Sequence, residues 1–432
     1  MDKEILKLAV PNILSNISVP LISTVDTALM GSLSELHIGA VGLGSMIFNF
    51  IYWNFGFLRM GTTGITAQFY GKQDVTNLIH TLLRALMVGL ILTLFVVALQ
   101  KPFLHISIQL LNVPEEQVQI LAEYFFIRIW AAPATLALYA FMGWYFGMQN
   151  AILPMIITIL INVINVAFSW YFVIQLEWNV AGVAWGTVIA QYAGLTFAFL
   201  FFIIYYRDVL KSIVQKQIFY LDAFKEFLKI NRDIFLRTLM LTFSFGFFYS
   251  ISSTQGSMML AVNVILLQFL NWMSYGIDGF AFASESLTGK YYGAADQSKL
   301  NLAIKKSFIW AGIFGLLYAL IYIIFGITLV QIFSDDISVQ QATKPYLFWI
   351  VVLPIASFVC YIWDGIFIGL TASKAMRDTM FISLIIYVLS YYLFRSYDNH
   401  GLWLSLMLFM IARGGIMTYY YTKKELGLIR RN

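Results

Sequence analysis

Residues 16–31 read NISVPLISTVDTALMG and place a carboxylate, Asp26, inside an apolar stretch that runs from Ile5 to Met30. A stretch of this length can cross a bilayer as one helix, which needs about 20 apolar residues. Burial of an acid in such a segment costs free energy, so an acid found there is by default a candidate functional residue. An apolar surrounding favours the neutral form of a carboxyl group, which suits Asp26 to carrying a proton. The alternative is an inert, hydrogen-bonded acid near a helix end.

The same helix holds two prolines before Asp26, Pro11 and Pro20. A proline inside a helix removes a backbone hydrogen bond and can kink the helix. We therefore expect Pro11 and Pro20 to be helix-bending positions.

The composition is that of a membrane protein. Of the 432 residues, 60% are hydrophobic and 11% are charged, whereas soluble domains carry about 25% charged residues. The apolar runs are helix-length and do not alternate with period two, which favours an all-α integral membrane protein over a β-barrel. One cysteine and four histidines give no metal spacing and no disulfide, and no ATP-binding motif is present. We expect no metal, no organic cofactor and no enzymatic activity.

Twelve membrane-spanning helices are predicted, with both termini in the cytoplasm. Lysines and arginines concentrate in the segments that this topology places inside, and only Lys101, Lys344 and Arg395 lie in outer segments. This asymmetry orients a protein in the cytoplasmic membrane, so the net charge of +5 indicates orientation and not nucleic-acid binding. The predicted organisation is an N-terminal lobe over 1–206, an amphipathic cytoplasmic linker over 207–237 and a C-terminal lobe over 238–432.

Two pairs of motifs repeat at one offset. FYGKQD at 69–74 corresponds to YYGAAD at 291–296, and GWYFG at 143–147 corresponds to GIFIG at 365–369, each 222 residues later. With six spans in each half, the halves enter the membrane in the same orientation. Parallel repeats of this kind occur in transporters that rock two lobes about a central site. The repeat favours a transporter over a channel or a purely structural membrane protein.

Three further acids are predicted to lie inside the membrane, in the second half. Asp278 and Glu285 are seven residues apart and share one helix face. Asp364 aligns with Met142 in the repeat, so the duplicated scaffold does not require it. These acids are candidates for binding a cationic substrate; the alternative is burial against arginines or backbone amides.

A polar stripe marks the fifth predicted span. Asn162, Asn165 and Ser169 recur at helical spacing, and Thr187 lies on the next span. Such oxygens could hold a proton network or a sodium ion, because hard cations choose oxygen ligands. The alternative is that they hydrogen-bond neighbouring helices together.

The motifs resemble those of the multidrug and toxic compound extrusion (MATE) family, in its DinF-like branch. They occur in the family's order in both halves: AVPNI (9–13), VDTALMG (25–31), FLRMGTTG (57–64), YFFIRIWAAPA (124–134), GWYFGMQNA (143–151), DGFAFASESLTGKYYGA (278–294) and WDGIFIGLT (363–371). The resemblance implies a V of two six-helix lobes that exports amphiphilic compounds in exchange for protons or sodium.

The resemblance also carries over to single residues. Asp26 matches the family's first-helix aspartate, and Pro11 matches the proline at which that helix is proposed to bend. Asn165 and Thr187 match polar residues beside that aspartate, whereas Ser169 stands where many relatives carry a second aspartate. The missing charge favours protons over sodium in the first lobe.

The sequence therefore predicts a monomeric antiporter that works among membrane lipids on small amphiphilic and often cationic drugs or toxins. Asp364 matches the tenth-helix aspartate of other branches, which leaves a second-lobe site open. The rival functions are sodium-coupled export and a flippase for a lipid-linked precursor. A flippase would need an excess of cations in its cavity, whereas intramembrane acids here are as numerous as arginines.

Overall fold

A computed structural model describes residues 1–31, 35–218 and 220–423, without the side chains of residues 19–28, 30, 31, 35, 215 and 216. The described residues are helical almost throughout and include no β-strand. Ten helical stretches among them are long and apolar enough to cross a bilayer. Hydrocarbon offers no hydrogen-bond partners to the backbone, whereas a helix pairs its backbone N–H and C=O groups internally. The all-α membrane fold is confirmed, and the number of twelve spans stays a prediction.

The helices follow one another with short connections. In chain order they are α1 (Asp2–Gly31), α2 (Glu35–Phe55), α3 (Phe57–Gly71), α4 (Val75–Ala98), α5 (Gln100–Leu110), α6 (Glu115–Arg128), α7 (Ala132–Gly147), α8 (Ile152–Trp170), α9 (Asn179–Tyr206), α10 (Gln215–Ile218), α11 (Leu221–Thr254), α12 (Ser257–Gly293), α13 (Gln297–Phe333), α14 (Ile337–Thr343), α15 (Leu347–Gly369), α16 (Ser373–Phe394) and α17 (Asp398–Thr422).

The chain divides into two compact units, Met1–Ile13 with Lys229–Asn432, and Leu14–Leu228. Helix α1 contributes to both, and the division falls just after Pro11. Its first turns belong with α12 and α13, because Glu4 accepts a hydrogen bond from Tyr291 at 2.8 Å and Asp2 accepts one from Lys306 at 2.9 Å. The predicted lobe and linker boundaries stay a prediction.

Part of the predicted linker is held against α4. Arg84 donates hydrogen bonds to the backbone carbonyls of Gln217 at 2.8 Å and Ile218 at 3.1 Å. His80 Nε2 lies 3.2 Å from the backbone N–H of Val214 and accepts from it. The remainder of the predicted linker, from Leu221 onward, is continuous with the long helix α11.

Local backbone geometry recurs at the offset of the sequence repeat. Asp74 caps α4 and Asp296 caps α13, each with φ near −90° and ψ of 83°. Each carboxylate accepts from the amide three residues later at 3.0 Å, and the Lys299 amide thereby lowers the pKa of Asp296. The residues before them, Gln73 and Ala295, have positive φ of 57° and 56°.

The helices also approach each other in matching ways. A Cβ at Gly143 would overlap the carbonyl oxygen of Arg59, where α7 crosses α3. A Cβ at Gly365 would overlap the carbonyl oxygen of Ala281, where α15 crosses α12. Small residues let helix backbones pack closely where hydrocarbon provides no hydrophobic force between helices. Both crossings therefore require glycine.

We expect Gly365→Ala to destabilise the protein by about 1–3 kcal/mol, the usual effect of an extra methyl group in a packed core. Gly246→Ala on α11 is the matched control, because nothing lies within 4 Å of a Cβ built there. Thermal unfolding of both variants in detergent measures the difference. Equal stability of the two variants would show that the α12–α15 crossing tolerates a side chain.

Candidate functional site

A buried polar network links α6, α8 and α9 within the unit Leu14–Leu228. Asn165 Nδ2 donates to Thr187 Oγ1 at 3.0 Å, and Thr187 donates in turn to the carbonyl of Val183 at 3.1 Å. Arg128 approaches the same hydroxyl at 3.5 Å. Asn165 and Thr187, which the sequence places on successive predicted spans, are thus in direct contact.

The arginine extends this network to α2. Arg128 donates to Tyr124 Oη at 2.5 Å, and that hydroxyl lies 3.1 Å from Ser45 Oγ. The guanidinium also lies over the rings of Phe48 and Tyr124, at 5.3 and 5.5 Å from their centroids. Aromatic faces attract cations, so this setting accommodates a charge away from bulk water.

Two buried oxygens in this region have no hydrogen-bond partner among the described residues, Asn165 Oδ1 and Ser169 Oγ. Both residues are nearly inaccessible, with exposures of 2% and 0%. Ser169 lies against α9 because Gly186 leaves room for it, and a Cβ at Gly186 would overlap Ser169 Oγ. The site therefore offers neutral oxygen acceptors in an enclosed setting.

Helix α1 runs beside this network. Ser18 Oγ accepts a hydrogen bond from Asn162 Nδ2 at 2.8 Å, and Leu29 packs against the core formed by α2, α6 and α9. The backbone of Asp26 lies in α1 between these two contacts. The side chains of Asp26 and Pro20 lie outside the described residues, whereas Pro11 lies within the helical part of α1 that is described.

A second buried polar cluster occupies the other unit. Asp364 Oδ2 accepts from Arg413 at 2.6 Å and also from Arg237. The three residues come from α15, α17 and α11, and their exposures are 8%, 2% and 6%. Burial against arginines was the alternative that the sequence left open for Asp364, but the sequence assigned Arg237 to the predicted cytoplasmic linker. The apolar run LMLTF directly after Thr238 was the available signal that Arg237 lies on a membrane-spanning helix.

The other two candidate acids lie on α12. Glu285 is 1% exposed and Asp278 is half-buried. Helix α15 crosses α12 between them, because Gly365 faces Ala281 and Ser284. Among the described residues, no group of three or more metal-ligating side chains is found.

Comparisons with known proteins agree on one family. The MatE family model matches residues 11–171 and 234–393. The DNA damage-inducible protein F of Escherichia coli (strain K12) is 35% identical over 418 residues, 96% of this chain and 90% of that protein. Protein DETOXIFICATION 44, chloroplastic, of Arabidopsis thaliana is 22% identical over 436 residues, 95% of this chain and 80% of that protein.

A solved structure has the same fold. It is described as the outward-facing conformation of a multidrug resistance MATE family transporter of the MOP superfamily. It superposes with a TM-score of 0.88 at 19% identity and covers 100% of this chain and 97% of its own.

We expect Thr187→Val to destabilise the protein by about 1–3 kcal/mol, because the variant removes the buried hydroxyl group that accepts from Asn165 and Arg128. Thr196→Val is the matched control on the same helix, since its hydroxyl binds only the Tyr192 carbonyl at an exposed position. Thermal unfolding in detergent compares the two. If Thr187→Val were no worse than Thr196→Val, the network would not stabilise the site.

Proposed function

Because the chain belongs to the MatE family, whose members are membrane transporters and not enzymes, we propose that it exports small amphiphilic organic compounds from the cytoplasm. Export is driven by a cation, the proton, that moves inward through the unit Leu14–Leu228. The observation that carries the proposal is the buried Asn165–Thr187–Arg128 network beside the helix that holds Asp26. The protein works as a monomer in the lipids of the cytoplasmic membrane.

The proposed topology has twelve crossings in two lobes of six. The crossings are α1, α2 with α3, α4, α6 with α7, α8, α9, α11, α12, α13, α15, α16 and α17. The recurrence of caps and glycine crossings 222 residues apart supports two related lobes. The distribution of lysine and arginine supports cytoplasmic termini.

Asp26 is the proposed proton carrier. As first and fifth crossings, α1 and α8 run in the same direction, and they touch at Ser18 and Asn162. Asp26 follows Ser18 by eight residues and Ser169 follows Asn162 by seven, which is about 10–12 Å along each helix. We therefore expect the backbone of Asp26 to lie level with Ser169. Protonation must favour one arrangement of the lobes over the other, because otherwise it drives nothing.

The network favours a proton over sodium. A bare sodium ion needs several oxygen ligands, preferably charged ones, and Ser169 supplies a neutral oxygen. Arg128 contributes a positive charge 3.5 Å from Thr187 Oγ1, which repels a second cation. The same repulsion acts on a proton, but a proton needs no shell of oxygen ligands, because it binds covalently to one carboxylate oxygen.

Asp364 is a weaker candidate for ion coupling or for binding cationic compounds than the sequence indicated. Two arginines contact its carboxylate, so the three residues together carry no net negative charge. Recognition of cationic compounds in this unit therefore depends on Asp278 and Glu285.

We expect Asp26→Asn to abolish gradient-driven export while the protein still folds. The amide mimics the protonated acid and cannot release a proton, and loss of a buried charge need not lower stability. Export of a fluorescent amphiphile from proteoliposomes measures the effect, with wild-type protein at equal density as the reference. Wild-type rates in the variant would refute the coupling role of Asp26.

An imposed pH gradient alone is expected to drive export, and a sodium gradient at constant pH is expected to drive none. The opposite result in wild-type proteoliposomes would show sodium coupling. Ser169→Asp restores a carboxylate at the position where the resemblance places one, and we expect it to introduce a response to sodium.

A further inference from the structure

We propose that Arg237, Asp364 and Arg413 form a binding site for the oxyanion head group of an amphiphilic compound, such as a carboxylate. The idea that the compound is exported rests on the proposed function. The binding of its head group does not rest on that function, because binding requires neither a gradient nor Asp26.

The first argument is the supply of hydrogen-bond donors. Two guanidinium groups offer ten N–H donors in total. Both arginines donate to one oxygen, Asp364 Oδ2, and Arg413 also donates to the weakly accepting sulfur of Met410 at 3.3 Å and lies over the Phe409 ring. The Nε atoms of Arg237 and Arg413 have no partner among the described residues. Buried donors without acceptors are costly, and an oxyanion supplies acceptors that match the guanidinium fork.

The second argument is charge. Two arginines share one carboxylate, which leaves the cluster with an excess of one positive charge. In a low-dielectric interior an uncompensated charge is expensive, and a singly charged anion would neutralise it. Asp278 and Glu285, on α12 either side of the crossing at Gly365, are the other acids of this unit that oppose an anion. When ionised, these two acids weaken the attraction of the arginine pair for an anion.

The third argument is access. Arg413 is 2% exposed, whereas Arg237 and Asp364 are 6% and 8% exposed. All three residues are therefore buried, and Arg237 and Asp364 are slightly more accessible than Arg413. This arrangement suits a head group that enters at Arg237 while an apolar body stays outside.

A matched pair of probes tests the site: a rhodamine with a free carboxylate and its ethyl ester, which differ only in that charge. Fluorescence polarisation with the full chain in an uncharged detergent measures both affinities. We expect the wild type to bind the free acid at least about tenfold more tightly than the ester, a factor that corresponds to 1.4 kcal/mol. Arg237→Gln and Arg413→Gln should each abolish this preference.

The control is Arg232→Gln, which removes the same charge from the same helix at a side chain that is 60% exposed and should keep the preference. Asp364→Asn should strengthen binding of the free acid. If Asp364→Asn fails to fold, the double variant Arg237→Gln/Asp364→Asn restores a net charge of one and should still prefer the free acid. Asp26→Asn should also keep the preference, which separates this site from the coupling mechanism.

Equal affinities for acid and ester in the wild type would overturn the proposal. An unchanged preference in both arginine variants would also overturn it and assign the cluster to the scaffold. Nanodiscs of phosphatidylcholine and of phosphatidylglycerol distinguish the source of the oxyanion. Loss of free-acid binding only in phosphatidylglycerol identifies an anionic lipid as the occupant, and binding in both identifies a non-lipid amphiphile as the occupant.

Discussion

The hydrocarbon interior of a bilayer offers no water to a charged or polar side chain, and this constraint shapes the two polar sites described above. Charges are tolerated there only when they meet partners inside the protein. Arg128 satisfies the constraint with hydroxyl groups and aromatic faces. Arg413 satisfies it with a carboxylate that it shares with a second arginine. In the proposed mechanism, the same apolar surroundings would let the protonation of one carboxylate shift a conformational equilibrium.

Local backbone features recur in the two halves of the sequence, whereas the charged residues of the two halves differ. Helix caps, positive-φ turns and glycine crossings recur 222 residues apart. Asp364, in contrast, stands where the first half has Met142. A duplicated scaffold can therefore hold a neutral-oxygen network in one half and a charge cluster in the other. This division of labour suits an exporter that couples an ion in one place and recognises a head group in another.

Most of the fold followed from local patterns, because long apolar runs and repeated motifs are properties of neighbouring residues. The all-α membrane fold and the family were predicted correctly, and the polar stripe on α8 pointed to the contact between Asn165 and Thr187. The pairing of Arg237 with Asp364 was missed, since 127 residues separate them and no local pattern encodes such a contact. The position of this charge in the sequence suggested that Arg237 lies at the membrane surface, and only its contact with Asp364 of α15 shows that it is buried.

The most direct test of proton-coupled export reverses the flow of energy. Coupling is reciprocal, so a gradient of the transported compound must move protons when no pH difference is imposed. Proteoliposomes loaded with a pH indicator and given a gradient of a fluorescent amphiphile should develop a pH change with wild-type protein and none with Asp26→Asn. Movement of the compound through the wild type without any pH change would contradict the account.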